Sequence, residues 1–196
     1  VPSIFSEGIK FSLKFILRLG IICLGIRLGL LDILKVGVIG IPLIIACIVI
    51  SILLVNFFCK LLNVPSKIGS LIAVGTSICG ASAIVATSPA INADKEEVTY
   101  AIANITIFGI IAMFIYPFLS HYLFSGDELS VGLFLGTSIH ETAQVAGAGL
   151  IYSEQYNSPS TMDIATVTKL VRNISMIVVI PIISYAYVKK NIDKKN

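Results

Sequence analysis

Three long stretches of this chain carry no charge at all. No Asp, Glu, Lys or Arg occurs from Val36 to Cys59, from Ile68 to Ala93, or from Val98 to Gly126. Each stretch exceeds the roughly 20 residues with which an α-helix crosses the hydrocarbon core of a bilayer. Composition points the same way. Of 196 residues, 56% are hydrophobic and 13% charged, whereas a soluble domain is about one quarter charged. Too little polar surface exists to coat a globule in water. The chain reads as an all-α, polytopic integral membrane helix bundle, with the lipid bilayer as its first partner.

Six helical regions can be drawn over a single transmembrane domain, 1–196. They cover about 9–30, 37–61, 67–91, 97–124, 129–152 and 164–188, joined by short polar segments such as "NVPSK", "NADKEE" and "SGDELS". Lys10, Lys14 and Arg18 form a basic stripe on the first helix, and Arg27 snorkels near its far end. With the Lys-rich tail in the cytoplasm, Lys10, Lys14, Lys60 and Lys67 also lie inside, leaving Lys35 and Lys95 in outer loops. That asymmetry follows the positive-inside rule and makes both termini cytoplasmic. The net charge of +3 therefore requires no nucleic-acid partner. Cys23, Cys47, Cys59 and Cys79 sit in apolar surroundings without C-x-x-C spacing, which reads as free thiols rather than a disulfide or metal site. No cofactor or metal is implied. Opening at Val1 with no recognisable signal peptide, the chain reads as a piece of a longer protein.

Two features interrupt the apolar pattern. "GTSICGASAIVATSP" crowds Gly, Ser and Thr into the middle of the 67–91 region. Small residues there serve close helix packing. Alternatively they mark a broken helix whose free N–H groups, with Thr76, Ser77 and Ser82, bind an anion near the midplane. The second feature is "GTSIHETAQV" in the 129–152 region, with His140, Glu141 and Gln144. A charge at a transmembrane helix centre costs roughly 2.5–3.5 kcal/mol on insertion scales, so such residues face a polar cavity or bond to neighbouring helices. A zinc-protease H-E-x-x-H fails, because Gln144 stands where the second His is needed. The tetrapeptide "GTSI" occurs in both features, at 75–78 and 136–139. By a six-helix count both copies cross in one direction, and they form an inverted pair only if one segment is re-entrant.

On the 164–188 helix, Lys169 and Arg172 share a face three residues apart. They either snorkel outward or line a cavity beside Glu141, where two cations and one carboxylate suit an anionic ligand. An intramembrane enzyme using Cys79 or His140, or a structural subunit whose polar residues only join helices, stays open at this point.

The motifs "GTSICGASAIVATSPAINADKEEVTYAIANITIFGIIAMFIYPFL", "GTSIHETAQVAGAG" and "DIATVTKLVRN", in that order, resemble the YeiH-type membrane proteins, the UPF0324 or sulfate exporter family. The resemblance runs from about Gly8 to Tyr187. It implies an inner-membrane secondary transporter, not an enzyme, that exports sulfate or a related small anion, and it makes this chain the central part of a longer member. The family's histidine–acid motif falls on His140 and Glu141, where Asp is more usual. Its S-I-C-G-A-S-A motif falls on Ser77–Ala83 and its K-L-x-R motif on Lys169–Arg172. The expected site lies between the third, fifth and sixth helices. Thr76, Ser77, Ser82, Lys169 and Arg172 bind substrate there, and His140, Glu141 and Gln144 couple or gate. A homo-oligomer is compatible with the sequence.

Overall fold

The computed structural model describes residues 30–192, with side chains over 40–185 and at Tyr187, and the separate positions Gly8, Phe11, Phe15, Ile16 and Leu19. The basic stripe Lys10, Lys14 and Arg18, as well as Arg27 and Cys23, lies outside the described residues. The regular structure among the described residues is helical. The helices are α1 (Leu30–Leu61), α2 (Ser66–Ser77), α3 (Ala81–Thr87), α4 (Lys95–Phe124), α5 (Glu128–Ser138), α6 (Thr142–Tyr156), α7 (Pro159–Ile174) and α8 (Met176–Ile192).

Gly40–Leu61 of α1 and all of α4 are long and apolar enough to cross a membrane. So are α7 and α8 taken together, bent by 42° at Ser175. The outward faces of α1 and α4 carry large apolar side chains, among them Leu53, Phe57, Phe108, Phe114 and Phe118, all exposed. Such a face is stable against lipid tails, not against water. Local chemistry sets the ends. Asp94 and Glu97 form a capping box at the start of α4, which satisfies two N–H groups reciprocally. Asp127 caps α5 by accepting from Ser130 N at 2.9 Å; hydrogen bonding from the Ser130 side chain, and then from its backbone N–H, lowers the Asp127 carboxyl below its ordinary value. Pro159 opens α7, where its missing N–H has no role to lose.

The regions expected as single helices at 67–91 and 129–152 are each two helices that turn back on themselves. A continuous helix through α5 and α6 would hold its ends roughly 45 Å apart, at 1.5 Å per residue. Instead Ser158 Oγ donates to Glu128 Oε1 at 2.8 Å, so the hairpin closes at its base. Val131, Leu135 and Ile139 of the first arm and Val145, Ala148 and Tyr152 of the second join Ala112 of α4 and Ala165 of α7 in one buried cluster. The α2–α3 pair closes in the same way. Lys67 Nζ lies 3.7 Å from both Asp94 and Glu97, and Gly75 packs against Ile84. Lys67 near Glu97 and Gly75 near Ile105 make α2 parallel to α4. Gln144 near Thr106, Gly147 near Met113 and Tyr152 near His121 make α6 parallel to α4. The α2–α3 hairpin therefore enters from the end where α4 begins, and α5–α6 enters from the end where α4 finishes. The two are inverted, tip towards tip.

This topology corrects two further expectations. Residues 31–36, expected as a loop, are helical. Lys95 lies at the same end of the bundle as Lys60 and Lys67, because the chain between α2 and α4 never crosses. The opposite end carries Asp127, Glu128, Glu154 and Asp163. The six-helix count fails because hydropathy measures apolar length, and a hairpin buried in protein has as much of it as a crossing.

Single cysteines test the topology in full-length protein freed of its native ones. Leu62→Cys and Glu96→Cys are expected to react with a membrane-impermeant maleimide from one side, and Asp127→Cys and Gln155→Cys from the other. Six plain crossings would separate the members of each pair.

Candidate functional site

The two copies of "GTSI" end the first arm of each hairpin. Helix α2 stops at Ser77, with Ile78 N–H bonded to Val74 O at 3.2 Å; α5 stops at Ser138, with Ile139 N–H bonded to Leu135 O at 3.2 Å. Gly80 makes the first turn, at φ 73°, and its N–H returns to Gly75 O at 2.9 Å. An L side chain rarely adopts that φ. Each helix end leaves carbonyls without intrahelical partners and carries about half a negative charge. In a lipid-enclosed interior those carbonyls need donors.

Lys169 and Arg172 supply them. Lys169 is 0% and Arg172 2% exposed. Lys169 Nζ donates to Ile78 O at 2.8 Å and to Ile139 O at 3.0 Å, the corresponding carbonyls of the two motifs. Arg172 donates from Nε to Ser77 O at 2.9 Å, from Nη2 to Thr76 O at 2.6 Å, and from Nη1 to Thr137 O. Thr76 and Thr137 again correspond. Among the described residues neither cation pairs with a carboxylate; the Glu141 partnership open in the sequence is replaced by backbone carbonyls. Hydrogen bonds to charged groups contribute roughly 1.5–3 kcal/mol each, which offsets a burial cost of several kcal/mol per ion.

Helix α7 brings both cations to the tips because it packs closely on α5. A Cβ at Gly136 would fall 2.6 Å from Ala165 O and from Thr168 Cβ, and one at Gly132 would fall 2.6 Å from Ile164. The spacing of Gly132 and Gly136 is the small-residue pattern of membrane helix contacts. On the other side of the tips stands α4. Thr106 Oγ1 lies 3.5 Å from Glu141 Oε1, and Gln144 Nε2 reaches Thr106 O at 3.4 Å, both long contacts. Gly109 leaves the space that the Gln144 side chain fills. Asn173 of α7 donates to Thr142 Oγ1 at 3.2 Å.

Several buried polar atoms here lack a partner among the described residues: His140 Nδ1, Gln144 Oε1 and Asn173 Oδ1. Gln144 is only 7% exposed. Native interiors leave few such atoms unpaired, and each calls for a ligand, water or proton.

Of the residues singled out in the sequence, His140, Glu141, Gln144, Lys169, Arg172, Thr76 and Ser77 gather at the tips. Thr76 and Ser77 serve Arg172 through their carbonyls, and Ser77 Oγ donates back to Val74 O at 3.2 Å. Ser82 does not join them; it is exposed on α3. Thr106, Thr137, Thr142, Ile139 and the carbonyl of Ile78 were not singled out as site members. The repeated "GTSI" is the one signal that pointed to Thr137 and Ile139.

A family model described as Conserved hypothetical protein 698, the UPF0324 membrane proteins, matches residues 1–196. The chain belongs to this family. A UPF0324 membrane protein of Streptococcus agalactiae is 36% identical over 187 residues, 95% of this chain and 55% of the relative. One of Fusobacterium nucleatum is 38% identical over 174 residues, 88% of this chain and 50% of the relative. One of Streptococcus pneumoniae is 34% identical over 178 residues, 91% of this chain and 52% of the relative. The chain thus spans about half the length of the curated relatives it matches. No solved structure matches it.

Gly136→Ala separates helix propensity from packing. Alanine is better than glycine in a helix interior by roughly 0.5–1 kcal/mol, yet the added methyl meets the α7 backbone. The variant of the full-length protein is expected to be destabilised by about 1–3 kcal/mol, seen as a lower Tm. An unchanged or higher Tm would contradict the close α5–α7 contact.

Proposed function

We propose that the chain forms the core of a secondary transporter that exports sulfate or a related small anion across the cell's inner (cytoplasmic) membrane. The observation that carries this reading is the meeting of two opposed re-entrant hairpins at a cluster of incompletely bonded polar side chains. Transporters place their substrate near the midplane at interrupted helices of inverted repeats. Irregular backbone at membrane depth is tolerated where it is buried or lines a cavity.

Charge favours an anion. Lys169, Arg172 and the N-terminus of α6, which begins at Thr142, outweigh Glu141. The two cations act mainly by their field and by holding the tips, since five of their N–H groups already serve carbonyls. His140, Thr142, Gln144 and Asn173 then face the substrate. His140 and Glu141 carry the coupling proton or gate access, beside the unpartnered atoms His140 Nδ1 and Gln144 Oε1. The positive-inside rule puts the end with Lys60, Lys67 and Lys95 in the cytoplasm. Cys79, the nucleophile of an enzyme reading, holds its Sγ 3.2 Å from Met176 Sδ within an apolar cluster, which favours the carrier.

Sulfate flux into liposomes containing the full-length protein tests the proposal. His140→Ala and Glu141→Gln are each expected to reduce flux about tenfold or more, equivalent to ~1.4 kcal/mol in the barrier, without loss of folded protein. Sulfate flux equal to that of empty liposomes, or unaltered flux in both variants, would refute it.

A further inference from the structure

We propose that the two hairpin tips form a monovalent-cation site, occupied in the native protein by Lys169 Nζ as a tethered replacement for a free coupling ion. Backbone carbonyls at broken helices and at half-helix C-termini are the ligands with which membrane proteins bind sodium and potassium. Here such carbonyls converge from both hairpins. Ile78 O and Ile139 O occupy corresponding places in the two "GTSI" motifs and accept from one nitrogen, at 2.8 and 3.0 Å. Both belong to negative helix ends.

The chemistry selects a single charge. Among the described residues no group of three or more His, Cys, Asp or Glu converges as a metal site. The negative ends that face Lys169 Nζ are carbonyl dipoles, with Glu141 the nearby carboxylate, its side chain packed against Gly80. An ammonium group has three donors, and two of them replace the contacts that a bare ion would make.

Arg172 makes the site separable from the lysine. Its guanidinium spans Thr76 O and Ser77 O on one hairpin and Thr137 O on the other. Removing the Lys169 side chain therefore leaves the tips bridged, with two carbonyls still facing a buried space. A free cation that enters it stabilises the protein by mass action.

The inference is independent of which solute is carried. It is read by melting and ion binding, whereas the transport reading is read by flux, so the two can fail separately. Purified full-length wild type, Lys169→Ala and Lys169→Met would be melted in sodium, potassium, ammonium and choline chlorides at matched ionic strength. Wild type is expected to vary by about 1 °C or less, while Lys169→Ala gains about 4 °C or more in one of the three small cations over choline. Lys169→Met, whose side chain fills the space, stays flat. A wild type that needs sodium or potassium for its stability, or a Lys169→Ala protein as indifferent as Lys169→Met, would overturn the proposal. If Lys169→Ala is lost on extraction in every salt, wild type decides. Saturable binding of radioactive sodium or rubidium to it overturns the proposal, and none supports it.

Discussion

A helix that stops inside a membrane leaves carbonyls that neither lipid nor water can satisfy. The structure resolves that problem twice with the same two side chains. Lys169 and Arg172 donate to five carbonyls drawn from two helix ends. Without them both hairpin tips would hold orphaned acceptors, each costing about 1–3 kcal/mol. Without the tips, two buried cations would stand unpaired, at a higher cost. Neither half is stable alone, and the rest of the fold arranges their meeting.

That arrangement rests on close approach and on closed hairpin bases. Gly132 and Gly136 let α7 approach α5, and Gly109 gives Gln144 its place beside α4. At the base of the α5–α6 hairpin, His121 stacks on Tyr156 with centroids 3.7 Å apart and bonds Tyr152 at 3.1 Å. At the base of α2–α3, Lys67 sits between Asp94 and Glu97. Polar groups thus fasten each hairpin at its base, and buried cations fasten the tips. The two halves are alike at "GTSI" and differ beyond it. The return arm α3 has 7 residues and α6 has 15, and His140 and Glu141 belong to the longer hairpin alone.

Much of this was legible in the residues. Uncharged runs gave the membrane, and small polar residues at 75–82 raised a helix break as the alternative to close packing. His140, Glu141, Lys169 and Arg172 were recognisable as too costly to lie idle in lipid. The repeated "GTSI" even posed the question of an inverted pair. What stayed hidden was direction. Apolar length cannot tell a crossing from a hairpin, so 67–91 and 129–152 read as spans and Lys95 fell on the wrong side. The partners of Lys169 and Arg172 were hidden for a related reason. Backbone carbonyls are present at every residue, and only the position where a helix ends makes them acceptors worth a buried cation. Ser82 misled because its neighbours Cys79, Gly80 and Ala83 are buried while α3 turns Ser82 outward.

Paired cysteines at the two hairpin bases test the central claim most directly, in full-length protein freed of native cysteines and held in membranes. Glu128→Cys with Ser158→Cys, and Lys67→Cys with Asp94→Cys, should each form an intramolecular cross-link under mild oxidation. Two transmembrane crossings would hold the members of each pair a bilayer apart, and failure of both pairs to cross-link would contradict the account.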